Sequence, residues 1–265
     1  MRMANISCAP STAIKGTERR AGWLRALAAL ALLCVPHVAG ATRTAETDAP
    51  APPRVNADPA FPFSNEIAAF AKANEAGLAV PDATLFLGSS SIRLWDIAGS
   101  FPDTGTVNRG FGGATARDVL HYYPRLLPRK APRSILVYVG ENDLAAGAAP
   151  GDVARDVLRL LKRLRADYPK ARIAYLSLKP SPIRWTLWPK MAAVNMTVAA
   201  RTRAGGFDYL DVGSALLARD GLPDASLFRP DGLHMNARGY LRWTRQVNGW
   251  LDRAQVAAGT SAPAS

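Results

Sequence analysis

Cysteine and histidine are both scarce in this chain. Of its 265 residues only Cys8 and Cys34 are cysteines, and only His37, His121 and His234 are histidines. Both cysteines precede Ala39-Gly40-Ala41, a small-residue site of the kind at which a leader is cut. Downstream of it the chain can form no disulfide and no thiolate metal site, and two histidines leave a metal only a carboxylate-rich option. No metal site is therefore expected. Long apolar runs are missing too. The longest, residues 26–35, falls short of the roughly 20 apolar residues a bilayer span needs. With Arg19, Arg20 and Arg25 before it, residues 1–41 read as a secretory signal peptide, an uncut N-terminal anchor being the alternative. A twin-arginine or lipoprotein leader fits poorly: the residues after Arg20 depart from the first pattern and Leu33 before Cys34 from the second. Aromatics make up 8% and are not interleaved with basic runs, which argues against nucleic acid as a partner.

Acidic residues are outnumbered. The chain holds 33 Lys and Arg against 21 Asp and Glu. Removing residues 1–41 takes away five basic residues and one acid, leaving 28 against 20, a net charge of +8. In an exported, periplasmic or secreted protein that surplus favours an anionic envelope surface. Residues 42–62 carry Pro50, Pro52, Pro53, Pro59 and Pro62 among Ala, Thr and Asp, and read as an extended tether. The folded domain is expected over residues 63–254, with a flexible tail at 255–265. Oligomeric state leaves no trace in the sequence.

Within the domain, short apolar runs alternate with amphipathic segments. A helix is expected over residues 63–76, with Ser64 as its cap. Strands are expected at residues 84–87, 106–107, 134–139, 172–178 and 207–212, and helices near residues 115–127, 153–168, 187–204 and 236–254. On the helix at 153–168 the apolar stripe Val153, Val157, Leu160, Leu161 and Leu164 backs a face of Arg155, Arg159, Lys162, Arg163 and Arg165, read as solvated. This alternation implies an α/β fold with a doubly wound, mostly parallel five-stranded sheet in one domain.

Ligand sites in such folds gather at the carboxyl edge of the sheet. There the sequence places Gly88-Ser89-Ser90-Ser91, Asn108-Arg109-Gly110-Phe111-Gly112-Gly113 and Gly140-Glu141-Asn142-Asp143. A serine in the first turn is a nucleophile or merely a helix cap. His121 sits mid-helix beside Leu120 and Tyr122, where a structural role suits it better. His234 follows Asp231 by three residues, close enough for the carboxylate to orient the ring and free its other nitrogen as a base. Gly113 offers an unobstructed backbone N–H, Asn142 a side-chain N–H and Ser90 its own N–H to an oxyanion. The segment Lys179-Pro180-Ser181-Pro182, with Arg184, Trp185 and Trp188, either walls a substrate pocket or is a proline-stiffened loop over the core.

Taken in order, Gly88-Ser89-Ser90, the glycine of NRGFGG, GEND and DGLH resemble the four blocks of the SGNH (GDSL-type) hydrolases. The resemblance runs from about residue 86 to 240. It implies a flavodoxin-like three-layer α/β/α sandwich and cofactor-free ester hydrolysis. By motif register the nucleophile falls on Ser90, the acid on Asp231, the base on His234, and the oxyanion donors on Ser90, Gly113 and Asn142. The family's aspartate after the first glycine is replaced by Ser89, which leaves Ser89 and Ser91 as rival nucleophiles. The implied activity is that of a serine esterase acting on acyl or acetyl esters, with a small-molecule, glycan or lipid ester as substrate. A non-catalytic envelope-binding module on the same scaffold is the alternative. A dinucleotide site at GFGGAT lacks its third glycine and its ribose-binding acid. An α/β-hydrolase elbow would need Gly where Ile92 stands.

Overall fold

The computed structural model describes residues 62–76 and 82–259, with side chains as far as Arg253. The expected leader, nearly all of the tether and the end of the tail lie outside the described residues. Five strands run parallel: β1 (Thr84–Gly88), β2 (Thr106–Gly110), β3 (Ser134–Tyr138), β4 (Arg172–Leu176) and β5 (Asp208–Leu210), in the order β2-β1-β3-β4-β5. The fold is thus the expected three-layer α/β/α arrangement. β1 and β3 are buried throughout, as apolar strands covered on both faces must be.

The helices are α1 (Ser64–Glu75), α2 (Ser90–Arg93), α3 (Ile97–Ser100), α4 (Ala116–Leu126), α5 (Glu141–Ala145), α6 (Pro150–Asp167), α7 (Trp188–Ala199), α8 (Thr202–Gly205) and α9 (Ala237–Gly259). α4 opens on a capping box: Thr115 accepts from the N–H of Asp118, whose carboxylate accepts from the N–H of Thr115. α6 buries the anticipated stripe of Val153, Val157, Leu160, Leu161 and Leu164. α9 is joined to Phe86 and Tyr138 of the sheet by an aromatic cluster that includes Trp95, Phe101, Tyr240 and Trp243, with ring centroids 4.9–6.4 Å apart.

Several local expectations shift. Ser64 lies inside α1, whose N-cap is Phe63 without a side-chain bond. Pro189 sits in the first turn of α7, where its missing N–H is harmless, and a 3₁₀ turn over Pro182–Leu187 precedes it. α9 continues to Gly259, past the expected end of the domain at residue 254. The basic face of α6 is not wholly given to solvent. The Arg163 guanidinium lies 4.0 Å from the centre of the Tyr123 ring. Arg165 donates to the carbonyls of Tyr168, Pro169, Ala171 and Gly206. β2 is longer than expected because its polar residues are used inside the fold. Asn108 donates to Ile92 O and accepts from Gly110 N. Arg109 reaches Asn74 at 2.6 Å and Leu126 O at 3.1 Å, and burial lowers its pKa.

The three strands that matter for the site end level. Gly88 pairs in register with Gly110 on one side and with Tyr138 on the other. A β-carbon at position 88, where φ is +153°, would sit 2.0 Å from the Tyr138 carbonyl oxygen. Gly88→Ala should therefore destabilise the fold by about 2–3 kcal/mol, the range for a forced core contact. Urea unfolding of the purified variant checks this, a midpoint equal to wild type being the contrary result.

Candidate active site

Because β1, β2 and β3 stop together, the chain leaves the sheet at three neighbouring points. From β1 it turns through Ser89, in extended backbone, into α2, whose first residue is Ser90. From β2 it passes through Phe111 and Gly112 to Gly113, and Phe111 N–H donates back to Gly88 O at 3.1 Å. At Gly113 φ is +76°, a conformation that costs glycine little, while the space beside it is open as far as Phe63, 3.9 Å away. From β3 it turns at Gly140 into α5, which carries Glu141, Asn142 and Asp143. Asn142 Nδ2 donates to Ala114 O at 3.0 Å, which joins the second and third turns.

His234 arrives from a loop before α9. Asp231 Oδ1 accepts from the N–H groups of Leu233 and His234, each at 2.9 Å, and Oδ2 lies 2.7 Å from His234 Nδ1. Burial opposes ionisation of Asp231. The bonds from the His234 ring and from the two backbone N–H groups nevertheless hold its carboxyl well below the usual range. An ionised carboxylate only accepts, so the ring proton belongs on Nδ1 and the Nε2 lone pair is free. Nε2 lies 3.0 Å from Ser90 Oγ. Ser89 and Ser91 are both buried, each 3% exposed, and it is Ser90 Oγ that meets the imidazole. His121 lies on exposed α4 surface with its ring edge-on to Tyr122 at 4.7 Å.

The expected pocket wall divides into three different roles. Lys179 is no wall. It is 1% exposed, and its ammonium donates to both Glu141 oxygens, at 3.3 and 3.1 Å, and to Leu233 O at 2.9 Å. The burial that removes it from any pocket also lowers its pKa, against the pull of Glu141. Arg184 is half-buried, and its Nη1 bonds Glu141 Oε1 at 3.1 Å and Asn142 Oδ1 at 3.0 Å. Trp185 stacks on Trp188, with ring centroids 6.0 Å apart. Among the described residues no cluster of His, Asp and Glu is placed to hold a metal ion.

Glu141 is the residue that reading the sequence missed. Burial raises its pKa, but Lys179, the Tyr138 hydroxyl and Arg184 together bring it below the ordinary value. A signal was present. Glu141 and Lys179 each lie seven residues beyond the paired Ser134 and Arg172, so an acid and a base follow adjacent strands at equal offset. Asp143 is a second buried acid, accepting from Ala116 N–H at 3.0 Å. Burial pushes its carboxyl up to about 6, with Asp118 and Asp156 adding to the rise and the Ala116 N–H opposing it.

Since the raised value favours the protonated form in the folded state, this group binds more protons folded than unfolded between about pH 4 and 6. Its contribution to stability therefore falls as pH rises through that window. Asp143→Asn removes the titration. The variant should gain about 2 kcal/mol relative to wild type between pH 4 and pH 7. Urea unfolding at the two pH values measures it, and a difference that does not change with pH is the contrary result.

The model of the GDSL-like lipase/acylhydrolase family matches residues 93–242, more than half of the chain. The match begins just past Ser90 and includes Gly113, Asn142, Asp231 and His234. No curated protein matches by sequence. Among solved structures, a protein from Streptococcus pneumonia is 20% identical with a TM-score of 0.65, covering 71% of this chain and 92% of its own. A GDSL-like lipase from Bacteroides thetaiotaomicron is 16% identical with a TM-score of 0.58, covering 71% and 99%. A mutant acetyl-xylooligosaccharide esterase from Geobacillus Stearmophilus is 15% identical with a TM-score of 0.51, covering 64% and 94%. At these identities the likeness establishes the fold, and it is the family model that goes further: the chain belongs to the GDSL-like lipase/acylhydrolase family and is a carboxylic ester hydrolase.

Proposed function

We propose that Ser90, His234 and Asp231 form a catalytic triad that hydrolyses esters through an acyl-enzyme. The observation that carries this reading is the unbroken chain from Asp231 Oδ2 through the imidazole to Ser90 Oγ, with links of 2.7 and 3.0 Å. Nε2 takes the hydroxyl proton as Oγ attacks the ester carbonyl. Asp231 steadies the imidazolium that results. Negative charge on the former carbonyl oxygen is met by the N–H groups of Ser90 and Gly113 and by the Asn142 amide. Ser90 opens α2, so its N–H has no carbonyl one turn back to bond. His234 then returns the proton to the leaving alcohol, and water repeats the sequence to free the acid.

The substrate class that fits best is a short acyl, above all acetyl, ester on a carbohydrate. A cleft of about 830 Å³ opens beside Gly113, lined by Phe63, Thr115, Arg117, Asp118 and the turn at residues 146–148. Beside the apolar Pro62, Phe63, Ala146 and Ala148, the side chains of Thr115, Arg117, Asp118 and Asp143 give a sugar ring and its hydroxyls partners of both kinds. The acetyl-xylooligosaccharide esterase among the structural neighbours supports the same class. The basic start, short apolar run and small-residue site in residues 1–41 support export, and the positive balance supports association with an anionic envelope surface.

Ser90→Ala should lower the hydrolysis of p-nitrophenyl acetate by at least about 1,000-fold, with melting temperature unchanged. Wild type should be labelled on Ser90 by a fluorophosphonate, read by mass spectrometry. Retained turnover in Ser90→Ala overturns the triad. In a series of p-nitrophenyl esters kcat/KM should fall beyond butyrate, and acetate should be released from acetylated xylo-oligosaccharides. Faster turnover of long-chain esters or lysolipids overturns the substrate class.

A further inference from the structure

The mechanism leaves a cluster of buried charge unused. Glu141 and Lys179 are 3% and 1% exposed, and Arg184 joins them from the following turn. Within one short segment Lys179 bonds Leu233 O, Ile183 N–H bonds Gly232 O at 3.1 Å, and Arg184 bonds Asn142 Oδ1. The segment thus touches both the turn that carries His234 and the asparagine of the oxyanion site. Glu141, the sequence neighbour of Asn142, is the anion on which both cations rest.

Two ions taken from water and a third half-buried beside them are costly, and apolar residues of similar size commonly stabilise a fold as well or better. A role in holding the site accounts for the arrangement where stability alone does not. A side-chain amide has two ends of nearly equal shape and opposite polarity. With Asn142 Oδ1 against the Arg184 guanidinium and one Nδ2 hydrogen on Ala114 O, a flip would set NH₂ against a cation and oxygen against a carbonyl. The second Nδ2 hydrogen then remains for the substrate. A cation on the carbonyl end also polarises the amide, so that its N–H donates more strongly.

We propose that Arg184, seated on Glu141, is a positioning residue that fixes the Asn142 amide with its N–H toward the developing oxyanion. Lys179 serves the other half of the site, anchoring the Leu233 carbonyl next to His234. The inference rests on the oxyanion role given to Asn142 above, and it predicts that Arg184 acts through Asn142 and not on the substrate.

A double-mutant cycle on p-nitrophenyl acetate tests it. Arg184→Met should lower kcat about tenfold with KM within about twofold, a loss expected for a charged hydrogen bond used in the transition state. Asn142→Ala should lower kcat by about 100-fold or more. Adding Arg184→Met to Asn142→Ala should cost less than about a further twofold. If the methionine variant does not fold, Arg184→Gln, which keeps a donor without the charge, enters the same cycle with a loss of about threefold that again vanishes without Asn142. Independent losses that multiply, a higher KM at unchanged kcat, or full activity in a folded Arg184 variant overturn the inference while leaving the oxyanion reading intact. Full activity in Asn142→Ala overturns the oxyanion reading, and the inference with it.

Discussion

The carbonyl of Tyr138 occupies the place that a side chain at position 88 would need, and the N–H of Ser89 donates to that same carbonyl at 3.1 Å. This contact between the ends of two strands sets where the first strand stops and in what direction the chain departs. The opening residue of α2 inherits its position from it. So does the short helix behind, which lies close enough to β2 that a β-carbon at Gly110 would meet Arg93 N at 2.3 Å. Asn108 then bonds the carbonyl of Ile92 and fastens the helix from below. The nucleophile proposed at Ser90 needs a fixed origin for its hydroxyl, and backbone atoms supply it.

Around that origin the site combines two kinds of electrostatics. The Asp231–His234 pair is open to water, and its carboxylate gains ionisation from short-range hydrogen bonds. The Glu141–Lys179 pair lies in the interior, where ions hold one another because solvent is excluded, and Arg184 closes it from the half-buried side. Partly solvated groups can exchange protons during turnover, whereas a closed network keeps its geometry. The division suits the roles proposed for each: an imidazole that changes charge in every cycle, and an Asn142 amide that is held still.

Much of this was legible in the sequence, for reasons that differ from element to element. Parallel strands covered on both faces leave unbroken apolar runs, so β1, β3 and β4 stood out, and the stripe on α6 announced its buried side. Strand ends brought the serine, glycine and asparagine turns to one rim, and the order of the four motif blocks, by its resemblance to the family, assigned them together with Asp231 and His234. What stayed hidden was long-range pairing. Arg109 reads as a surface charge until Asn74 and Leu126 O are seen to receive it. Lys179 between a strand and a proline looks like a rim residue, and only the packing of β3 beside β4 brings Glu141 under it. Short helices such as α3 and α5 are too brief to show a period.

Phe63 packs edge-on against Phe111 with ring centroids 5.0 Å apart, and it also lines the cleft beside Gly113. The chain therefore enters the domain at the mouth of the site. Truncation from the amino end as far as α1 would strip away one side of the cleft and uncover Phe111, whereas shortening the opposite terminus within the last turns of α9 would spare it. A bulky fusion partner joined close to Pro62 would stand in the doorway of that cleft.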